Sequence, residues 1–596
     1  MSQSTAPKRS TPPIPVTLNC SGGISLGAYM AGIFYELIKE AVKPDSKIIV
    51  DIITGASAGA MTGAIAAYYL LRENRERMLN EPVEANIFYK AWVEKIDMEG
   101  IDRLGFAPED GQWSLLSGKK IAEIAELLRQ KPLAIEKTQP LALLMTLTNL
   151  QGLLKETGFK TEDGEAIRVL SSAETRLFLF DSGLDTKKVN SMWEKVIIGG
   201  TASGAFPVAF PPVADDSLID SPNLENLVDD YRDLDNKDLL KDIVRSDPKK
   251  KEFIFSYTDG GVLDGLPICK GIQIENDLLS NKHYPSDANP FKKYWAELRL
   301  NPDGLKLDLD NDVTQNENRR RYVYIQPKPV DKLETLQKEE PSLFQKHFPM
   351  LTVAIKALTL TKTEHDAIRL QEIRERNEDY KREFENRINL RDLLRSQFGS
   401  QSREIENKLE EPLPYRFIQL NRISPSTIRK IKGITKLKAI DTALSKNSYI
   451  QAKLDKGDTA GLLASDFFGA FGGFFDKRYR EHDFLLGRLS GLVWLHQRCS
   501  DLQISDTEIQ NLVEQIEGVH GQKFLTKDPT LADLQTSQHI RIVRIFLRFI
   551  RIVLIEATLG GKFWLLKIFS FLLIILIGTT ELLLTGVMKV FQAFRN

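Results

Sequence analysis

An α/β domain with a largely parallel sheet is predicted for the first half of the chain, and three observations predict it. Apolar runs at Ile14–Cys20 and Ile48–Ile53 read as short buried strands. Each run meets a turn rich in small residues and then a helical segment, about Ala28 to Val42 after the first and Ala58 to Leu71 after the second. Further strand-like runs recur at Leu141–Leu150, Arg176–Phe180, Glu252–Ser256 and Arg321–Ile325, with helical stretches between them. Strands that alternate with helices need crossover connections, and these place the strands side by side in one direction.

In chain order, residues 1–13 are polar and rich in Pro, Ser and Thr, without the apolar core of a secretory signal, and read as a disordered leader. The α/β unit is expected over 14–335. Its first loop, Ser21-Gly22-Gly23-Ile24-Ser25-Leu26-Gly27, offers backbone N–H groups at a helix start, where an anion or an oxyanion binds well. A nucleotide-phosphate loop is disfavoured, because neither Gly-x-Gly-x-x-Gly nor Gly-Lys-Ser/Thr is present. A tight turn without a ligand stays open. The second strand is mostly apolar with Asp51 inside it. Asn86 to Gln130 reads as helical. A helix from Trp193 runs into Gly199-Gly200-Thr201-Ala202-Ser203-Gly204-Ala205-Phe206-Pro207, and Phe210-Pro211-Pro212-Val213 turns the chain back. Asp215 to Lys251 is a charged excursion. Residues 336–536 are expected to form a charged α-helical region, with a solvated arm over Lys338–Glu411 and an aromatic, Gly-containing helical segment over Asp455–Arg498.

Composition narrows the function. A length of 596 residues suggests several domains, and 42% hydrophobic residues with 27% charged is enough for a sizeable core. The formal net charge of −1 gives no overall field toward nucleic acid. The cysteines, Cys20, Cys269 and Cys499, are far apart and form neither a metal-ligand spacing nor a disulfide framework. This fits a reducing compartment, and no metal or organic cofactor is expected.

The chemistry centres on Gly55-Ala56-Ser57-Ala58-Gly59. Strand, tight turn, serine and helix form the context of a nucleophile elbow, in which Gly55 and Gly59 permit the sharp turn that exposes the Ser57 hydroxyl. Asp259 follows a strand in an Asp-Gly-Gly turn with Gly260 and Gly261. A carboxylate projecting there could take the serine proton as general base, or the motif could be a turn alone. All seven histidines follow Asp259, an order that permits a triad, yet none sits in a Gly-rich catalytic turn. A Ser–Asp dyad fits better than a triad.

Four segments in order, Ser21–Gly27, Gly55–Gly59, Ala202–Pro207 with Phe210-Pro211-Pro212, and Asp259-Gly260-Gly261 with Pro267, resemble the patatin-like phospholipase family over about residues 14 to 330. The resemblance implies a three-layer α/β/α fold and hydrolysis of lipid acyl esters by Ser57 and Asp259 through an acyl-enzyme. It also implies an oxyanion hole from the backbone N–H groups of Gly22, Gly23 and Ile24. Many members carry a third glycine and an Arg or Lys in that loop, where this chain has Ile24 and Leu26. The segment Phe474 to Leu489 resembles a stretch appended to some larger bacterial patatin-related proteins and reads as a helical packing element.

The last segment, 537–596, points to a membrane. Arg541, Arg544, Arg548 and Arg551 fall on one helical stripe among apolar residues, as in a basic amphipathic helix on an anionic membrane; a helix packed on the protein with a solvated basic edge is the other reading. Phe563 to Leu584 forms a hydrophobic tail that would span a bilayer if Lys567 snorkels and Glu581 lies near the far interface, or else would lie in the interface. A helix buried in a soluble esterase also stays open. The sequence therefore suggests a membrane-associated serine lipid acyl hydrolase, with its catalytic domain in the cytoplasm and membrane phospholipid or another acyl-ester lipid as substrate. The rival is a non-catalytic lipid-binding scaffold on the same fold.

Overall fold

The computed structural model describes residues 12–72, 75–96, 119–129, 133, 139–207, 210–215, 255–285, 288–298, 300, 309, 320–327, 349–399, 403–410, 417–428, 462–466, 470–499, 502 and 506–520. Among the described residues, eight strands form one sheet: β1 (Ile14–Cys20), β2 (Ile48–Gly55), β3 (Leu141–Lys160), β4 (Ala166–Phe180), β5 (Val213–Asp215), β6 (Phe255–Asp259), β7 (Arg321–Ile325) and β8 (Gln419–Ile423). Their order is β5-β6-β3-β2-β1-β7-β8, with β4 also paired to β3. The run β3-β2-β1-β7-β8 is parallel throughout. The helices used below are α1 (Gly27–Ala41), α2 (Ala58–Leu70), α3 (Lys119–Arg129), α4 (Thr186–Ser203), α5 (Ile268–Leu279), α6 (Pro290–Glu297), α7 (Pro349–Phe398), α8 (Arg403–Leu409), α9 (Lys477–Arg498) and α10 (Asp506–His520).

Side-chain alternation along the strands builds the layers. Leu141, Leu143 and Met145 of β3 join Ile48, Val50 and Ile53 of β2 against residues of α1, α2 and α4. The intervening Ala142 and Leu144 join Ile49 and Ile52 against Ile274 and Leu278 of α5 and Phe291 and Trp295 of α6. Helices thus cover both faces of the sheet, which is why β2 is buried along its whole length and reads as a nearly unbroken apolar run. Asp51, the exception in that run, sits where the β1–β2 register shifts between Val16 and Thr17. Its carboxylate accepts from the Arg320 guanidinium and, at 2.6 Å, from Trp295 Nε1; Arg320 also faces Glu275 at 3.1 Å. A buried carboxylate needs such partners, because an unpaired charge there would be strongly destabilising.

Several expectations change in detail. The strand expected at Leu141–Leu150 continues to Lys160 and forms a long hairpin with β4, whose outer part exposes Leu150, Phe159 and Leu170. Asp259 closes β6 and also caps the 3-10 turn Gly260–Val262, its side chain accepting from Gly261 N–H, so the expected Asp-Gly-Gly turn begins on the last residue of the strand. Beyond Arg321–Ile325, the expected strands gain one more, β8, which pairs parallel with β7. β8 reads Gln-Leu-Asn-Arg-Ile and carries no continuous apolar signal. It is held from outside: Asn377 of α7 bonds both the N–H and the carbonyl of Ile418, at 2.8 and 2.9 Å. The helical region expected over Lys338–Glu411 is present as α7 and α8, but α7 is more than a solvated arm. Its Ile373 packs with Tyr322, Tyr324 and Ile418. Within Asn86–Gln130, the described residues form a short helix at Ile87–Tyr89, a π-helical turn at Lys90–Lys95, and α3. Most of the leader and of the charged excursion lies outside the described residues.

The C-terminal helix α9 lies across α1 at very close range. A Cβ on Gly32 would lie 2.0 Å from the Phe484 carbonyl oxygen, and one on Gly487 would lie 2.0 Å from that of Tyr29, so both crossing points require glycine. Arg488 pairs with the buried Glu36 at 2.6 Å, and Tyr29 Oη bonds Ser490 Oγ at 3.0 Å. The packing role expected for this segment is therefore present: it covers the outer face of a helix already seated on the sheet.

Candidate active site

Strand register brings the two candidate residues together. β4 occupies one edge of β3 from Leu141 to Thr148 and beyond, so β2 and β6 share the other edge in succession. β2 ends with Gly55 opposite Met145, and β6 arrives from the opposite direction to end with Asp259 opposite Leu147. The C-terminal ends of β2 and β6 thus face each other across two residues of β3.

The elbow occupies this junction. Ser57 has φ 55° and ψ −129°, a conformation that side chains rarely adopt and that persists only where the surroundings enforce it. The enforcement is steric and polar. A Cβ on Gly59 would lie 2.5 Å from the Cys20 carbonyl oxygen, and one on Gly55 would lie 2.5 Å from that of Gly59. Ala56 N–H donates to Cys20 at 3.1 Å, and Ser57 N–H donates to Ser203 Oγ at 2.8 Å. The hydroxyl sits at the N-terminus of α2, where the helix dipole favours negative charge.

Ser57 Oγ donates to Asp259 Oδ2 at 2.5 Å. Both residues are buried, at 5% and 2% exposure, and no histidine stands between them. The carboxylate is fixed by Gly261 N–H, which donates to its Oδ1 at 2.6 Å. Its backbone is fixed as well: Asp259 N–H donates to the Ala205 carbonyl at 3.0 Å, and Thr148 Oγ1 donates to the Asp259 carbonyl at 2.8 Å. Gly260 is required because a Cβ there would lie 1.9 Å from the Thr146 carbonyl oxygen.

The Gly-rich loop stands beside the elbow, joined to it through Cys20 at the end of β1. The loop differs from expectation in one donor. Gly22 N–H donates to the Gly265 carbonyl at 3.2 Å, so the oxyanion expectation narrows to Gly23 and Ile24. Ile24 has φ 52°, the left-handed region that a β-branched residue enters only under constraint. A glycine would adopt this conformation without that constraint. Leu26 is 1% exposed. The short helix Gly472–Phe475 and α9 both pack on this loop, so a cation at Leu26 would be stripped of water.

Sequence reasoning passed over Ser203 and Ala205. These two residues, at the end of α4, tie the elbow and the Asp259 strand to one short segment; Thr258 Oγ1 also donates to the Ala205 carbonyl, at 2.6 Å. The only signal was the Ala-Ser-Gly-Ala-Phe-Pro match, which assigned neither residue a role. Among the described residues, no group of three or more His, Cys, Asp or Glu is placed to hold a metal ion. A separate cavity of ≈ 850 Å³, lined by Gln139, Asp181, Tyr284 and Tyr294, lies toward the other end of β3 and β4 and includes neither Ser57 nor Asp259.

Residues 18–269 match the family model described as Patatin-like phospholipase. That span of the chain is similar to a patatin-like phospholipase domain. The matched span runs from β1 to the start of α5 and contains the Gly-rich loop, the elbow and the Asp259 strand; β7, β8 and α9 lie beyond it. No curated protein matches the chain. Arg541, Arg544, Arg548, Arg551 and the hydrophobic tail lie outside the described residues. Among the described residues, no helix is long and apolar enough to cross a membrane.

Proposed function

We propose that this protein is a serine lipid acyl hydrolase that cleaves carboxylic esters of phospholipids or related lipids, with Ser57 as nucleophile and Asp259 as general base. The observation that carries the reading is the direct 2.5 Å hydrogen bond from Ser57 Oγ to Asp259 Oδ2 within a patatin-like domain. As Oγ attacks the ester carbonyl carbon, its proton passes to Asp259 Oδ2. The carbonyl π pair moves onto oxygen, and the N–H groups of Gly23 and Ile24 stabilise that oxyanion. A donor of this kind is typically worth about 3 kcal/mol of barrier. Collapse expels the alcohol, which takes the proton from Asp259. A water then gives its proton to Asp259 and attacks the acyl-serine, and the fatty acid leaves as Ser57 regains its proton. We place the reaction at a membrane surface, with the arginine stripe and the hydrophobic tail as its attachment and the domain on the cytoplasmic side.

Hydrolysis of a panel of micellar phospholipids and neutral acyl esters tests the chemistry. Ser57→Ala is expected to lose at least about 10⁴-fold in kcat, and Asp259→Asn about 10²- to 10⁴-fold. Full turnover in either variant would refute the assignment. Flotation of the full-length protein with anionic vesicles tests the attachment, and recovery in the soluble fraction would contradict it.

A further inference from the structure

The C-terminal segment reaches the candidate site, and its aromatic residues meet those that follow α4. Phe206 and Phe471 have ring centroids 5.8 Å apart, Phe471 and Phe474 5.7 Å, and Phe474 and Phe210 6.0 Å. The row is tied both to the Asp259 strand and to the Gly-rich loop. Phe206 follows Ala205, whose carbonyl accepts from Asp259 N–H at 3.0 Å. Phe471 follows Ala470, whose carbonyl accepts from the Ser25 hydroxyl in the Gly-rich loop, and Gly473 N–H donates to the same hydroxyl at 3.1 Å. The buried Arg480 holds the segment in place by donating to the Gly473 carbonyl at 2.6 Å and to the Val93 carbonyl at 2.9 Å. Phe206, Phe210 and Phe471 are only partly buried, so they keep apolar surface uncovered.

We infer that Phe206, Phe210, Phe471 and Phe474 form the wall along which the acyl chain of the substrate lies, so that the C-terminal segment supplies half of the acyl-chain site. This rests on the hydrolase reading above. An ester with its carbonyl carbon at Ser57 Oγ and its oxygen toward Gly23 and Ile24 has its acyl chain leaving between the acid side and the loop side, and the aromatic row joins those two sides. Phe471 and Phe474 lie outside the matched span 18–269, so this half of the site is additional to the patatin-like domain. Each methylene laid against such a wall multiplies the preference by about fourfold, by hydrophobic transfer.

The test measures kcat/KM of the full-length protein on p-nitrophenyl butyrate and dodecanoate. Phe471→Ala is expected to lower the dodecanoate-to-butyrate ratio by about tenfold or more, and Phe471→Leu to restore most of it. An equal fall on both esters would mean that the ring only supports the fold, and would overturn the inference, as would an unchanged ratio. Phe210→Ala, at a partly buried ring, serves the same comparison if Phe471→Ala lowers the melting temperature. A second readout separates this inference from the hydrolase reading: fluorescence titration of a dansyl-labelled C12 fatty acid into Ser57→Ala protein. Binding weakened about tenfold or more by adding Phe471→Ala supports the wall even if no ester is turned over, and equal binding in the two proteins overturns it. Absence of turnover on every ester would count against the hydrolase reading alone.

Discussion

At Ser57 the chain accepts a rare backbone conformation in exchange for a hydroxyl aimed at a carboxylate. Four neighbours impose this geometry. Gly55 and Gly59 allow backbone contact that a Cβ would block, Ser203 accepts the Ser57 N–H, and Asp259 accepts the hydroxyl. Ser203 is 0% exposed, and its oxygen is the acceptor for the elbow's N–H. Ser203→Ala removes that acceptor without enlarging the side chain. It is expected to lower kcat about tenfold while KM changes little, because a hydrogen bond of roughly 1 to 1.5 kcal/mol that aligns the nucleophile acts on the barrier more than on binding. Steady-state kinetics on a soluble ester measures this, and a change confined to KM would place Ser203 in substrate binding instead. The serine, the acid and their glycines were legible in the sequence because each motif is local. The engagement of Gly22 by Gly265 was not, because the partner is brought near only by the fold.

Elements from far along the chain complete the domain. α9 covers α1 through the Gly32–Gly487 crossing and carries two buried titratable groups at its N-terminal end. Asp483 accepts N–H bonds from Ala464 and Ser465, at 2.7 and 3.1 Å, and its neighbour His482 donates from Nε2 to the Leu462 carbonyl at 2.8 Å. Burial raises the Asp483 acid from 3.8 to about 7, against the pull of its hydrogen bonds. Burial lowers His482 from 6.5 to about 4. The folded state therefore holds the Asp483 proton where the unfolded state has lost it, and stability from this group declines as pH rises from about 4 to about 7. His482 acts in the opposite sense: stability declines as pH falls from 6.5 toward about 4, because only the unfolded imidazole takes up a proton there. Urea midpoints against pH are expected to separate the two. Wild type compared with Asp483→Asn loses ground on the alkaline side of that window, and compared with His482→Gln it loses ground on the acid side. Parallel curves would show that neither group's pKa differs between the folded and unfolded states. β8 and α9 were the elements least readable as part of the α/β unit. β8 neither runs apolar nor alternates strictly, since Asn421 and Arg422 are adjacent, and the segment is tied at Ile418 by Asn377 of α7; the fit of α9 rests on glycines that look unremarkable in either helix alone.

Across the whole molecule, the order of strands and helices in the α/β unit follows from the pattern of apolar runs and small-residue turns. β2 is legible because a central strand buried on both faces needs no alternation. Its one anomaly, Asp51, becomes intelligible only when Arg320 and Trp295 arrive from two later segments to bind it, with Glu275 holding the far side of the same guanidinium. The same long-range assembly makes the candidate site a joint product of the patatin-like domain and the C-terminal segment, since Ser25 of the Gly-rich loop is bonded to Ala470 and Gly473. The central claim is that Ser57 is the nucleophile and Asp259 activates it. Its most direct test is covalent labelling of the folded full-length protein with a fluorophosphonate, with the adduct located by peptide mass spectrometry. A single adduct on Ser57, formed far more slowly in Asp259→Asn and absent in Ser57→Ala, is the predicted result. No adduct in folded wild-type protein, or an adduct on another serine that persists in Ser57→Ala, would contradict it.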